Sequence, residues 1–68
     1  MNDKPAIKFD KVNAGEVYFH KCCGLVIIGE DSDELYCRAA QVVKSGDGYV
    51  ASSGYVWCAK AQLEWKQQ

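Results

Sequence analysis

The stretch DSDELYCRAAQVVKSG, residues Asp31–Gly46, decides how the fold of this chain is interpreted. Advancing about 100° per residue sorts its side chains into two arcs. The polar arc comprises Asp33, Glu34, Arg38, Gln41, Lys44 and Ser45, and the mainly apolar arc comprises Leu35, Tyr36, Ala39, Ala40, Val42 and Val43. Asp31 and Glu34 have the spacing of a capping box, and Gly46 can close a helix. The stretch therefore predicts one amphipathic helix.

Strand patterns lie on both sides of this stretch. Glu16–Cys22 is a strand by alternation, and Leu25–Ile28 is a continuous apolar run typical of a buried strand, so the two predict a hairpin. Tyr49–Ser52 is a third candidate strand. Tyr55–Lys66 alternates strictly although many of its residues favour helix, and a bend or single 3₁₀ turn near Ala59–Gln62 reconciles the two tendencies.

The order hairpin, helix, hairpin predicts an α+β fold with a small antiparallel sheet and one helix on one face. This outline resembles the β-grasp arrangement of ubiquitin-like domains. The alternative is an all-β fold, because AGEVYFHK, GLVIIGE and VWCAKAQLEWK resemble SH3-like small barrels, in which a short turn precedes a Leu-Glu strand. That alternative requires Leu35–Val43 to be a strand. Its apolar residues do not alternate, so we prefer the helix.

Length and composition indicate one small folded domain. The chain has 68 residues, of which 49% are apolar, which argues against disorder and leaves apolar surface for a partner. We expect a loose N-terminal arm at 1–8 and a single domain at 9–68, with Phe9 and Val12 tucked against it.

The net charge and the hydropathy of the chain bear on its partners and its cellular location. The net charge of −1 gives no general attraction for nucleic acid. No run reaches the ~18 apolar residues of a membrane span, and residues 1–15 lack the apolar core of a signal peptide. We therefore expect no membrane association and a cytoplasmic location, where the four cysteines would be reduced: Cys22, Cys23, Cys37 and Cys58.

Metal binding and catalysis are both disfavoured. The best metal set is His20, Cys22, Cys37 and Cys58, but it contains no Cys-x-x-Cys pair, and adjacent residues on a strand point to opposite faces. A nucleophilic cysteine needs a base, and His20 lies two residues from Cys22 on the same strand, where the side chains do not form a ready pair. We predict a protein that is not an enzyme and holds no metal and no cofactor.

Aromatic and acidic residues are the candidate binding groups. The predicted site comprises Trp65, Trp57, Tyr55 and Tyr18 together with the acidic residues Glu30, Asp31, Asp33 and Glu34. The chain resembles, in its size and surplus apolar surface, compact accessory or inhibitor proteins of phages and mobile elements. We predict a non-catalytic binding protein that recognises a protein partner.

Three further possibilities stay open. An aromatic sheet face could stack single-stranded nucleic acid, with Lys21, Lys60 and Lys66 near the phosphates. Cys22 and Cys23 could sense redox state or bind a small ligand. The rings could instead be structural, with Phe19 and Trp57 in the core and the tyrosines at its edge.

Self-association is also predicted from the last strand. Trp57 and Trp65 share one face of it, and a helix of about 14 residues, ~21 Å long, covers a sheet only in part. We expect a homodimer or a heteromeric site at Trp65; otherwise Trp65 folds back over Phe9 and Val12.

Overall fold

The computed structural model describes residues 8–67, and every regular element among them except one turn is a β-strand. The elements are β1 (Val17–His20), β2 (Gly24–Asp31), β3 (Tyr36–Ser45), β4 (Gly48–Ala51), β5 (Val56–Ala59), a 3₁₀ turn (Lys60–Gln62) and β6 (Leu63–Lys66). The predicted α+β fold is therefore wrong, because its amphipathic helix is strand β3. Within residues 8–67 no helix has the length and apolar character needed to cross a membrane. Residues 1–7 of the predicted arm lie outside the described range.

Burial on both faces explains why β3 was mistaken for a helix. Cys37 and Ala39 face the core and are almost inaccessible, but Ala40, opposite Ile27 on the other face, is only 1% exposed. A strand that buries side chains on both faces does not alternate. Its apolar positions then fit a helical period by coincidence.

The apparent helix cap has a different use. Asp33 Oδ1 accepts hydrogen bonds from the backbone N–H groups of Leu35 and Tyr36, both at 2.9 Å, and Asp33 N–H donates to the Tyr36 carbonyl at 3.2 Å. Short acidic side chains bind neighbouring N–H groups in turns as readily as at helix starts. Asp33 therefore closes the β2–β3 turn, and Asp31 of the predicted capping box pairs with Lys60 instead of capping a helix.

The sheet is antiparallel and open. Its order is β4-β3-β2-β1-β6, and β5 also pairs with β3. β5 pairs with the first half of β3, and β4 pairs with the second half. Ser53 and Gly54 therefore connect two strands that follow one another along β3, and β4 and β5 do not form a hairpin. The predicted β1–β2 hairpin is confirmed, as is the 3₁₀ turn before Leu63. The all-β alternative thus has the right elements, without closure into a barrel.

A small core lies on the inner face of the sheet. It comprises Val12, Tyr18, Val26, Ile28, Cys37, Ala39, Cys58 and Leu63. Phe9 packs against it with its ring edge-on to Tyr18, at 5.0 Å between centroids, which confirms the expected tucking of Phe9 and Val12. The alternative in which Phe19 and Trp57 form the core is wrong, because Trp57 is 62% exposed.

Lys60 is the buried charged residue among residues 8–67. Its ammonium lies 2.6 Å from Asp31 Oδ1 and donates to the carbonyls of Asp10 and Asp33, each at 2.6 Å. The side chain is inaccessible to solvent. Lys60 therefore ties the segment before β1 to the end of β2 and to the β2–β3 turn.

Candidate binding surface on β3 and β5

Strand register places one group of large side chains on the outer face of β3 and β5. Cys37 and Cys58 are directly opposite each other and buried in the core. Because side chains alternate along a strand, their neighbours Tyr36, Arg38 and Trp57 point to the other face. Tyr36 is 46% exposed and Trp57 is 62% exposed.

Arg38 and Trp57 form the centre of this group. They are cross-strand partners, and the Arg38 guanidinium lies over the indole at 5.3 Å from its centroid. The Lys60 backbone N–H donates to the Leu35 carbonyl, which makes Leu35 and Lys60 a hydrogen-bonded pair. Hydrogen-bonded and non-hydrogen-bonded pairs alternate along two antiparallel strands, so Arg38 and Trp57 form a non-hydrogen-bonded pair, the kind whose side chains approach most closely. The cation–π contact stabilises an exposed pair by about 0.5–1 kcal/mol and holds the indole in place.

Tyr55 extends the surface towards β2. The register of β2 against β3 shifts between Ile28 and Glu30, which is a bulge at Gly29. The Tyr55 ring lies directly over this glycine, so that a Cβ atom at position 29 would come within 2.5 Å of the ring. Only a glycine allows this packing. We call Tyr36, Arg38, Tyr55 and Trp57 the aromatic surface.

A shallow hollow lies on each side of the Arg38–Trp57 pair. The first, of about 350 Å³, is lined by Gly29, Glu30, Arg38 and Tyr55. The second, of about 390 Å³, is lined by Ser32, Asp33, Tyr36 and Trp57. Each hollow therefore combines aromatic walls with one carboxylate.

The structure brings together half of the predicted site and separates the rest. Trp57, Tyr55, Glu30 and Asp33 line the two hollows, and Glu34 is exposed in the adjoining turn. Tyr36, Arg38 and Gly29 were missed. The alternation of Tyr36 and Arg38 with Cys37 and Ala39 was the signal that a strand assignment would have used.

Tyr18 is buried in the core and Asp31 pairs with Lys60, so neither belongs to the aromatic surface. Tyr18 is 2% exposed and its hydroxyl donates to Glu16 Oε1 at 2.9 Å; burial, with help from Glu16, raises the pKa of Tyr18 to about 12. The ammonium of Lys60 holds the pKa of Asp31 below its usual value. Neither group is placed to meet a partner on the outer face.

Trp65 lies at the other end of the sheet. It is the cross-strand partner of Phe19, and the two rings are stacked at 5.1 Å between centroids and 6° between planes. The structure thus places Trp65 on Phe19, and not on Phe9 and Val12 as the alternative to an interface required. The indole stays 46% exposed.

The cysteines and His20 are distributed over two environments. Cys37 and Cys58 are core thiols, and burial raises the pKa of both, that of Cys58 to about 12. Cys22 and Cys23 are exposed in the β1–β2 turn, where their backbone N–H groups donate to His20 Nδ1 at 3.1 and 3.2 Å. Among the described residues no three His, Cys, Asp or Glu side chains form a group that could hold a metal ion.

A third cavity of about 410 Å³ opens on the inner face of the sheet. Its floor includes the core residues Val26, Ala39 and Cys58, and its rim includes His20, Cys23 and Val56. It is a gap between β5 and the β1–β2 turn, left because the sheet does not close.

No protein family model, curated protein or solved structure is similar to this chain.

Proposed function

We propose that this chain is a small non-catalytic binding protein that docks a protein partner on the aromatic surface. The observation that supports it is the exposure of Trp57 and its neighbours, which are held in place yet covered by nothing within the described chain. Contiguous apolar surface rimmed by polar groups marks interaction sites, and Trp, Tyr and Arg carry most binding energy at interfaces. An accessory or inhibitor role fits a protein of this size.

Nucleic acid is the less favoured partner. Two of the three lysines predicted to lie near phosphates are paired with carboxylates: Lys60 is buried and pairs with Asp31, and Lys66 on β6 pairs with Glu16 at 2.8 Å. Carboxylates line both hollows beside the exposed rings. Their charge repels a phosphate backbone.

Affinity capture from a lysate of the native host tests the proposal. The wild-type chain, Trp57→Ala and Trp65→Ala are used as baits, each with and without nuclease treatment. We expect a protein that survives nuclease, is lost with Trp57→Ala and is kept with Trp65→Ala. Capture that disappears after nuclease treatment supports the single-stranded nucleic-acid alternative instead, and equal capture by all three baits contradicts the aromatic surface as the site.

Three sequence predictions remain proposals beside this one. The first is a homodimer through the Trp65 end of the sheet, supported by the partial exposure of that indole on an edge strand. The second is a cytoplasmic location. The third, thiol sensing by Cys22 and Cys23, is supported only by their exposure in the β1–β2 turn.

A further inference from the structure

We infer that the hollow between Tyr36 and Trp57 binds a positively charged side chain, arginine or lysine, of the partner. The inference rests on the proposed function and deepens it by naming the chemistry that the site recognises. Two exposed aromatic rings and the Asp33 carboxylate line this hollow of about 390 Å³. Aromatic faces attract cations, most strongly those of Trp, and a carboxylate at the same site adds direct charge attraction.

Strand geometry explains why the two rings share the hollow. Tyr36 is opposite Ala59, and Trp57 is two residues from Ala59 on β5, so the rings are diagonal neighbours on one face. Diagonal pairs lie about 7–8 Å apart at the backbone, within reach of aromatic side chains. The two rings therefore line one hollow, together with Ser32 and Asp33.

The orientation of the carboxylate is fixed by the turn. Asp33 Oδ1 accepts two backbone hydrogen bonds at 2.9 Å, from Leu35 and Tyr36, so the side chain cannot rotate away without losing both. This group is therefore preorganised, which lowers the entropic cost of binding.

The local charge favours a cation over an anion. Glu30 and Asp33 line the two hollows and Glu34 is exposed in the adjoining turn, whereas Asp31 is already paired with Lys60. Arg38 is the one cation of the aromatic surface itself, and its position over the indole shows that the Trp57 face accepts a guanidinium. Charge complementarity thus points to a basic segment of the partner.

Nuclear magnetic resonance of the ¹⁵N-labelled full chain tests this inference. The probe is Nα-acetyl-arginine amide, with Nα-acetyl-citrulline amide as its neutral isostere, and the reporters are the Trp57 indole N–H and the amides of Asp33 and Tyr36. We expect saturable shifts with arginine and at least threefold weaker binding of citrulline. Equal binding of the two, or stronger shifts with thymidine 5′-monophosphate, overturns the inference.

A matched pair of variants separates the site from general electrostatics. Asp33→Asn keeps an amide oxygen for the two backbone hydrogen bonds and removes the charge, so we expect about two- to fivefold weaker arginine binding. Glu34→Gln removes the same charge from the same turn but outside the hollow, and should change binding less than Asp33→Asn does. Equal losses in both variants contradict a specific site.

Failure of this inference is distinguishable from failure of the proposed function. If arginine does not bind while capture of a protein still depends on Trp57, the aromatic surface is the docking site and the cation chemistry is wrong. If arginine binds in the hollow but no nuclease-resistant protein is captured, the cation site stands and the protein-docking function is wrong.

Discussion

Lys60 shows most clearly how a single residue fixes the structure. Lysine is almost never fully buried unless paired, and strict alternation in YVWCAKAQLEWK gave no reason to place this one inside. Lys60 keeps the inward orientation of Cys58, two residues earlier, and the 3₁₀ turn then changes the phase of the chain so that Leu63 is also buried. Three oxygen atoms then replace its water shell, so the buried charge is satisfied.

Replacing Lys60 with methionine should destabilise the fold strongly. The change leaves the carbonyls of Asp10 and Asp33 and the Asp31 carboxylate without their donor, and we expect a loss of about 2–4 kcal/mol in the free energy of unfolding. Lys66→Met, which removes an exposed ion pair with Glu16, should cost less than about 1 kcal/mol. Urea unfolding of both variants measures the difference, and similar small losses would show that Lys60 is dispensable.

Glu16 is the second residue with an unusual environment. Its two oxygens accept hydrogen bonds from Lys66 Nζ at 2.8 Å, from Asn13 N–H at 2.9 Å and from the Tyr18 hydroxyl at 2.9 Å. These donors, Lys66 first, lower the pKa of Glu16 from 4.5 to about 2. The carboxylate is therefore preferred by the folded state.

The free energy of unfolding should decrease on acidification, over the pH range in which Glu16 gains a proton. Because the folded pKa of Glu16 lies below the unfolded value, its contribution is full above about pH 5 and is lost as the pH falls towards 2. Asp31, whose pKa is also lowered, acts in the same direction. Urea unfolding of wild type and Glu16→Gln between pH 2 and 7 measures this. The variant should be less stable at pH 7 and lose less on acidification; parallel curves would contradict the assignment.

At the scale of elements, local patterns predicted the short strands and failed for the long one. The β1–β2 hairpin and the 3₁₀ turn before Leu63 depend on alternation and on Gly24, which neighbouring residues determine. Strand β3 has three partners, β2, β4 and β5, and β5 is separated from it along the chain by the whole of β4. Its amphipathic pattern and its acidic first residues fit a helix as well as a strand, and only tertiary pairing selects the strand.

Only part of the aromatic surface could be predicted from the sequence. Trp57 and Tyr55 were recognised because large rings outnumber what a small core can hold. Tyr36 and Arg38 fell on different arcs of the supposed helix, so their proximity could not be seen. Gly29 looked like the end of a strand, whereas it lies at the bulge beneath the Tyr55 ring.

Gly29→Ala should destabilise the protein through this one contact. The new methyl group meets the Tyr55 ring at 2.5 Å, so the ring must move, and we expect a cost of about 1–3 kcal/mol. The control is Gly48→Ala, where the added carbon meets no atom within 4 Å. In a Tyr55→Ala background the cost of Gly29→Ala should largely vanish. An unchanged cost in that background would mean that something other than the ring opposes the methyl group.

At the scale of the whole molecule, both indoles are exposed, at opposite ends of the sheet. From the sequence, we expected this exposure because one helix is too short to cover a sheet. The structure gives another reason: Trp57 and Trp65 point away from the core, which lies on the inner face. Trp57 lies on the aromatic surface beside β3, and Trp65 on β6, which pairs only with β1 among the described strands. The two rings can therefore serve different contacts.

We expect self-association to depend on Trp65. An edge strand offers unpaired backbone groups to a second chain, and a half-exposed indole beside it adds apolar area to such a contact. Light scattering at micromolar concentration should find a wild-type dimer, a folded monomer for Trp65→Ala and a dimer for Trp57→Ala. A wild-type monomer whose Trp65→Ala form merely unfolds about 0.5–1.5 kcal/mol more easily would rule out the homodimer. It would limit the role of this indole to its stack on Phe19.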